Sequence, residues 1–201
     1  QIFDNTFLSV DQIGRSGSTF PYFDGGVSIS RTARTYPTFL IFKPGMIFTS
    51  ILLIIYWTKT NKIINFYQGL ENKNNLFKIL GIISAIFLVI HSLLLGVKFD
   101  NDIYKFFRRF VLLSFIIFEI VAQSLLVYRF FKLKSFMIKQ INNYVLTLKI
   151  ILVSILVIVA LVSLPIVVTS GNTHFKHALE WNYFVGVILF YFLTYLFWKK
   201  N

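Results

Sequence analysis

The chain has 201 residues, 56% of them hydrophobic and 14% charged, with 20 Lys+Arg against 8 Asp+Glu. A soluble domain of this size cannot hide so much apolar surface, so a water-soluble fold is excluded. The basic excess falls in the short connections between apolar runs and not along one accessible stripe, which argues against a nucleic-acid partner, and the lack of cysteine excludes disulfides and thiolate chemistry.

Taken in order, residues 1–43 read as a polar, Gly- and Ser-containing segment, and 44–201 as a transmembrane helical domain. Five apolar runs are long enough for a bilayer crossing of about 20 helical residues: Pro44 to Thr60, Ile79 to Val97, Phe107 to Tyr128, Leu148 to Val168 and Ala178 to Trp198. The expected fold is all-α, a multi-pass transmembrane helical bundle. Pro44 suits a first helical turn, although Phe39 to Phe42 could extend that helix outward. Tyr56 and Trp57 at its other end suit an interfacial aromatic belt.

Direction follows from the basic connections. Lys59, Lys62, Lys73 and Lys78 separate the first two spans, Arg129, Lys132, Lys134, Lys139 and Lys149 surround the connection between the third and fourth, and Lys199 and Lys200 close the chain. These regions, the C-terminus included, are expected on the cytoplasmic or equivalent side. Lys98, Lys105, Arg108 and Arg109 lie on the other side, accompanied by Asp100 and Asp102. Segment 1–43 then faces outward, and since it precedes every visible span and opens with Gln1, an upstream hydrophobic segment is expected, either a cleaved signal or a first helix, giving six spans in the precursor. Between Phe130 and Leu148 the mixture of aromatics and lysines fits either an interfacial helix or a basic loop with helix extensions.

Ionisable groups inside a span are costly and need a reason to be there. Two qualify, His91 in "LVIHSLLLG" and Glu119 in "FIIFEIVAQSLL", with Gln123 one turn from Glu119 on the same face. Helices joined by a short loop are antiparallel neighbours, which places His91 and Glu119 within reach of each other. They read as a packing contact, as the floor of an outward lipid-headgroup cavity, or as a proton relay. At the start of the last span, "HFKHALEW" places His174, His177 and Glu180 at i, i+3 and i+6. That trio is an acceptable metal ligand set, but the spacing drifts along the helix, and an interfacial cap with Glu180 near the helix N-terminus is the favoured reading.

Three stretches resemble one family. "STFPYFDGG" is similar to the outer-loop Pro-Tyr-Ile-Ser motif of the Frag/DRAM/Sfk group of six-span membrane proteins, with Phe23-Asp24 in place of Ile-Ser. "YPTFLIFKPGMI" resembles the run of that loop into the family's second helix, and "ALEWNYFVGVILFYFLTYLFW" its last helix. The resemblance covers nearly the whole chain apart from the family's first helix and implies lipid-related work, since relatives include modulators of autophagy, proteins of plasma-membrane lipid organisation and GPI-lipid remodelling factors.

The expectation is an integral membrane protein that binds or organises membrane lipid. Pro21 and Tyr22 would fix the outer loop, Asp24 and Glu180 line the mouth of an outward cavity, and His91, Glu119 and Gln123 form its floor. The rival is a structural accessory subunit of a larger membrane complex, with other membrane subunits as partners. A metal-assisted lipid hydrolase using His174 and His177 is the minor enzymatic alternative. Neither a cofactor nor a catalytic residue is expected.

Overall fold

In the computed structural model of the chain, residues 19–33, 37–68, 75–94, 102–169 and 171–199 are described. Their regular structure is helical: a single turn α1 (Ile29–Thr32), then α2 (Thr38–Gln68), α3 (Leu76–Leu94), α4 (Asp102–Leu133), α5 (Asn143–Val168) and α6 (Thr173–Phe197). The last five are each long and apolar enough to cross a membrane. The protein is therefore an integral, multi-pass helical bundle in which consecutive long helices pack against one another.

Several helix ends fall outside the expected limits. The first span starts at Thr38 and not at Pro44, because Pro44 removes one backbone donor without preventing the preceding turn from forming, and it runs on to Gln68. Beyond the apolar run, Thr60 and Asn61 turn inward and are buried, so polar residues continue α2 by packing against the bundle. Similarly α4 begins at Asp102, five residues before Phe107, and ends at Leu133. Of the two readings of Phe130 to Leu148, the structure takes the helix extensions: α4 reaches Leu133, turns occupy 134–140, and α5 starts at Asn143. Asn142 caps α5 by accepting a hydrogen bond from the Tyr144 amide at 3.0 Å, which satisfies one of the orphan donors of the first turn.

That connection is stitched to the end of the chain. The Asn142 amide donates to the Phe197 carbonyl at 2.9 Å and the Lys199 amide to the Gln140 carbonyl at 2.8 Å, around an isolated bridge between Ile141 and Trp198. Met137 and Ile141 are fully buried beneath it. The interior is aromatic, with Trp57, Phe77, Phe130, Phe190 and Phe197 all buried, while Ile86, Ile117, Ile155 and Leu161 face outward. An apolar exterior around an apolar core is the arrangement a hydrocarbon solvent permits.

Candidate functional site

Three arrangements stand out, at three depths. At one end, residues 20–27 are lashed to the first turns of α6. A turn at Pro21 brings the amides of Phe23 and Asp24 onto the Phe20 carbonyl at 2.9 and 3.1 Å. The Asp24 carboxylate then accepts from the Thr19 hydroxyl and from the amides of Phe20 and Gly26, both at 2.8 Å. These donors, the Thr19 hydroxyl foremost, and the nearby His174 hold the Asp24 pKa below its ordinary value of 3.8 against a weaker opposing effect of burial.

The loop so shaped offers its carbonyls to "HFKHALEW" and the next residue. His174 Nδ1 meets the Asp24 carbonyl at 3.2 Å and His177 Nδ1 the Gly25 carbonyl at 3.0 Å. Trp181 Nε1 donates to Val27 and Asn182 Nδ2 to Tyr22, each at 2.9 Å. A carbonyl oxygen only accepts, so both histidines carry their hydrogen on Nδ1 here. The Tyr22 ring meets the edge of Trp181 with centroids 5.4 Å apart. Among the described residues no three His, Asp or Glu side chains gather where one ion could reach them. Because α6 begins at Thr173 and not at Ala178, Glu180 sits half-buried in the second turn, and the first turn carries no acidic residue.

In mid-bundle, Glu119 is fully buried and held by three donors. Ser84 Oγ of α3 lies 2.5 Å from its Oε2, Gln123 Nε2 lies 3.0 Å from its Oε1, and the Tyr191 hydroxyl of α6 donates to the same Oε1. Glu119 and Gln123 are thus brought together as expected, whereas His91, also buried, stands on α3 about two turns, roughly 10 Å, farther out than Ser84. The early start of α4 accounts for the offset, since it sets Glu119 deeper in the bundle than a start at Phe107 would.

A second buried ion was missed in the sequence. Lys149, read as part of a basic loop, is fully buried in α5. Its Nζ donates to Thr194 Oγ1 at 2.6 Å and lies 3.9 Å from the centroid of Phe190 and 5.4 Å from that of Phe197. Rings on two sides supply cation–π attraction in place of a counter-ion. A signal did exist: Lys149 has Leu146, Leu148, Ile150 and Ile151 around it, which is no composition for a solvated loop.

Toward the Lys199 end, α4 and α5 enclose a groove of about 540 Å³ lined by Val127, Tyr128, Phe131, Val153, Val157 and Ile158, with Ser124 and Ser154 as its polar members. Tyr128 and Phe131 are about half exposed along it. Lys132 sets its ammonium over the Tyr128 ring and Lys134 over the Phe131 ring, each 4.7 Å from the centroid.

Fold and sites define an integral α-helical membrane protein with a capped end, a buried polar seam and an apolar groove with a basic rim. No family, no curated protein and no solved structure matches the chain.

Proposed function

We propose that the protein binds an anionic membrane lipid in the groove between α4 and α5, an acyl chain lying against Val127, Val153, Val157 and Ile158 and the head group meeting Lys132 and Lys134. The observation that carries this reading is the placement of two ammonium groups on the faces of the two aromatic side chains that line the groove. Apolar walls with a few convergent polar groups suit a largely apolar ligand, and the volume falls in the range of small-molecule sites. Lysines beside an apolar surface at the end of a span attract acidic head groups. The resemblance to the Frag/DRAM/Sfk group, with its lipid-related work, supports the same reading. The site differs from the one the sequence suggested: it lies at the Lys199 end, whereas the Tyr22 ring and the Tyr22 and Asp24 carbonyls are spent on the contact with α6 and the Asp24 carboxylate on donors within its own loop.

Each lysine near the membrane surface contributes about 1 kcal/mol toward acidic lipid, so the pair gives a preference of roughly 30-fold. The test uses the full chain in nanodiscs of neutral phosphatidylcholine with or without phosphatidylglycerol, scoring retained lipid by native mass spectrometry. Wild type retains the acidic lipid, the double variant Lys132→Gln, Lys134→Gln loses the preference, and Ser154→Trp, which fills the groove, reduces retention of both lipids. Equal retention of the two lipids by wild type overturns the proposal. So does a groove occupied by another protein in the native membrane, which would establish the accessory-subunit reading.

A further inference from the structure

We infer that Glu119 and Lys149 form a proton-exchange pair inside the bundle, joined across α6 by Tyr191 and Thr194. Neither the cap nor the lipid groove uses these residues. Tyr191 bonds Glu119 and Thr194 bonds Lys149, and the two lie three positions apart, on one face of α6 and one turn from each other. The acid of α4 and the base of α5 are therefore attached to neighbouring rungs of the same helix.

Tyr56 of α2 fills the space between the rungs. Its ring meets that of Tyr191 edge-on with centroids 5.1 Å apart. Its hydroxyl stands beside Thr194 and Thr60 yet makes no hydrogen bond, and Gln123 Oε1, next to Glu119, is likewise buried without a partner. Both open atoms belong to this one group of side chains, which therefore has room for a second hydrogen-bonded arrangement. All five long helices contribute: Tyr56 and Thr60 from α2, Ser84 from α3, Glu119 and Gln123 from α4, Lys149 from α5, Tyr191 and Thr194 from α6. Among the described residues, the titratable groups facing the pair are Tyr56 and Tyr191; α3 presents the uncharged Ser84, and its His91 lies two turns away.

In the resting arrangement the line is open at Tyr56, whose hydroxyl makes no hydrogen bond. A hydroxyl both donates and accepts, so a proton passes once the Tyr56 and Thr194 side chains shift to bring their oxygens and that of Tyr191 into hydrogen-bond distance. Thr194, which now donates to the Phe190 carbonyl at 2.9 Å, turns toward Tyr56. The N–H bond of Lys149 breaks and its proton joins Thr194 Oγ1. The Thr194 hydrogen passes to Tyr56, the Tyr56 hydrogen to Tyr191, and the Tyr191 hydrogen to Glu119, where an O–H bond forms. Each hydroxyl regains the proton it gave, nothing is oxidised or reduced, and an ammonium and a carboxylate become an amine and an acid. The bundle thereby has two internal charge states that differ by no exchange with solvent, a two-position element on which either membrane face could act.

The test is infrared difference spectroscopy of the full chain in nanodiscs, following the carbonyl stretch of a protonated carboxylic acid against pH. Wild type shows a titrating acid band that Glu119→Gln removes. Lys149→Met shifts the midpoint of that band by at least about one pH unit, a tenfold change in proton affinity. Tyr191→Phe slows the exchange of the band in deuterium oxide. If Lys149→Met does not fold, Lys149→Arg keeps the test: its guanidinium does not release a proton, so the acid band is confined to lower pH than in wild type. No acid band at any pH, or a midpoint indifferent to residue 149, overturns the pairing.

Discussion

Trp57 lies so close to Gly81 that a Cβ built on the glycine would stand 2.3 Å from the indole ring, and the tryptophan is fully buried in that contact. Gly81 thus lets α2 and α3 approach, the use to which small residues are put between membrane helices. Gly81→Ala should force the ring or the helix aside, and overpacking of this kind costs about 1–3 kcal/mol. Thermal unfolding in detergent should show a lower midpoint. An unchanged midpoint, with unchanged tryptophan emission, would mean that α2 stands away from α3.

The cap depends in the same way on Gly25. Its φ of 60° lies in the left-handed region, and an added Cβ would stand 1.7 Å from the His174 carbonyl oxygen. Gly25→Ala therefore combines backbone strain with a clash against backbone that cannot swing away, a penalty above about 1 kcal/mol. The expected outcome is a loop released from α6 on an intact bundle: rapid proteolysis within residues 19–33, with the helical circular dichroism retained. Resistance to proteolysis equal to wild type would show that the loop is not held by this contact.

Acid should loosen the same cap. The docked Asp24 has its pKa held below 3.8 by its hydrogen bonds and His174, while the carboxyl of a loop that has lost these donors titrates near that value. The sign follows: the docked form is favoured in full above pH 3.8, and the contribution disappears as pH falls through the lower docked value. Since Asp24 is exposed to solvent, screening keeps the effect under about 1 kcal/mol. Hydrogen exchange at the Phe20 and Gly26 amides, corrected for intrinsic rates, should speed up over that window, and Asp24→Asn should abolish the change. Protection that stays constant down to the docked value would separate the cap from the carboxylate.

What the sequence made legible here depended on contrast with the membrane. Five spans announced themselves because a run of bilayer length with almost no charge is rarely anything but a membrane helix, and Glu119 stood out as an acid among isoleucines and phenylalanines. The helix ends were harder to place, since outside the hydrocarbon region packing decides: Thr60 and Asn61 continue α2 through burial, which their polarity alone argued against. Tyr191 was hidden in "VILFYFLTYLFW", where core-facing and lipid-facing positions are equally apolar and aromatic, so no periodicity separates them. Lys149 was obscured by its neighbours in a basic region. The groove depends on which faces of α4 and α5 diverge, a tertiary property with no local signature.

Sidedness is open to a direct check. The cap holds Phe23, 84% exposed, against the beginning of α6, while Lys199 follows its end. A helix of 25 residues is about 37 Å long at 1.5 Å per residue, more than the roughly 30 Å of a hydrocarbon core, so the two positions belong on opposite faces. The basic residues concentrated with Lys199, among them Arg129, Lys132, Lys134 and Lys139, favour the cytoplasmic or equivalent side for that end. Because the chain has no cysteine, single introduced thiols report without background. An impermeant maleimide added to intact cells should label Phe23→Cys and spare Lys199→Cys until the membrane is permeabilised. Labelling of only Lys199→Cys would invert the orientation, and labelling of both before permeabilisation would mean that α6 does not cross the bilayer.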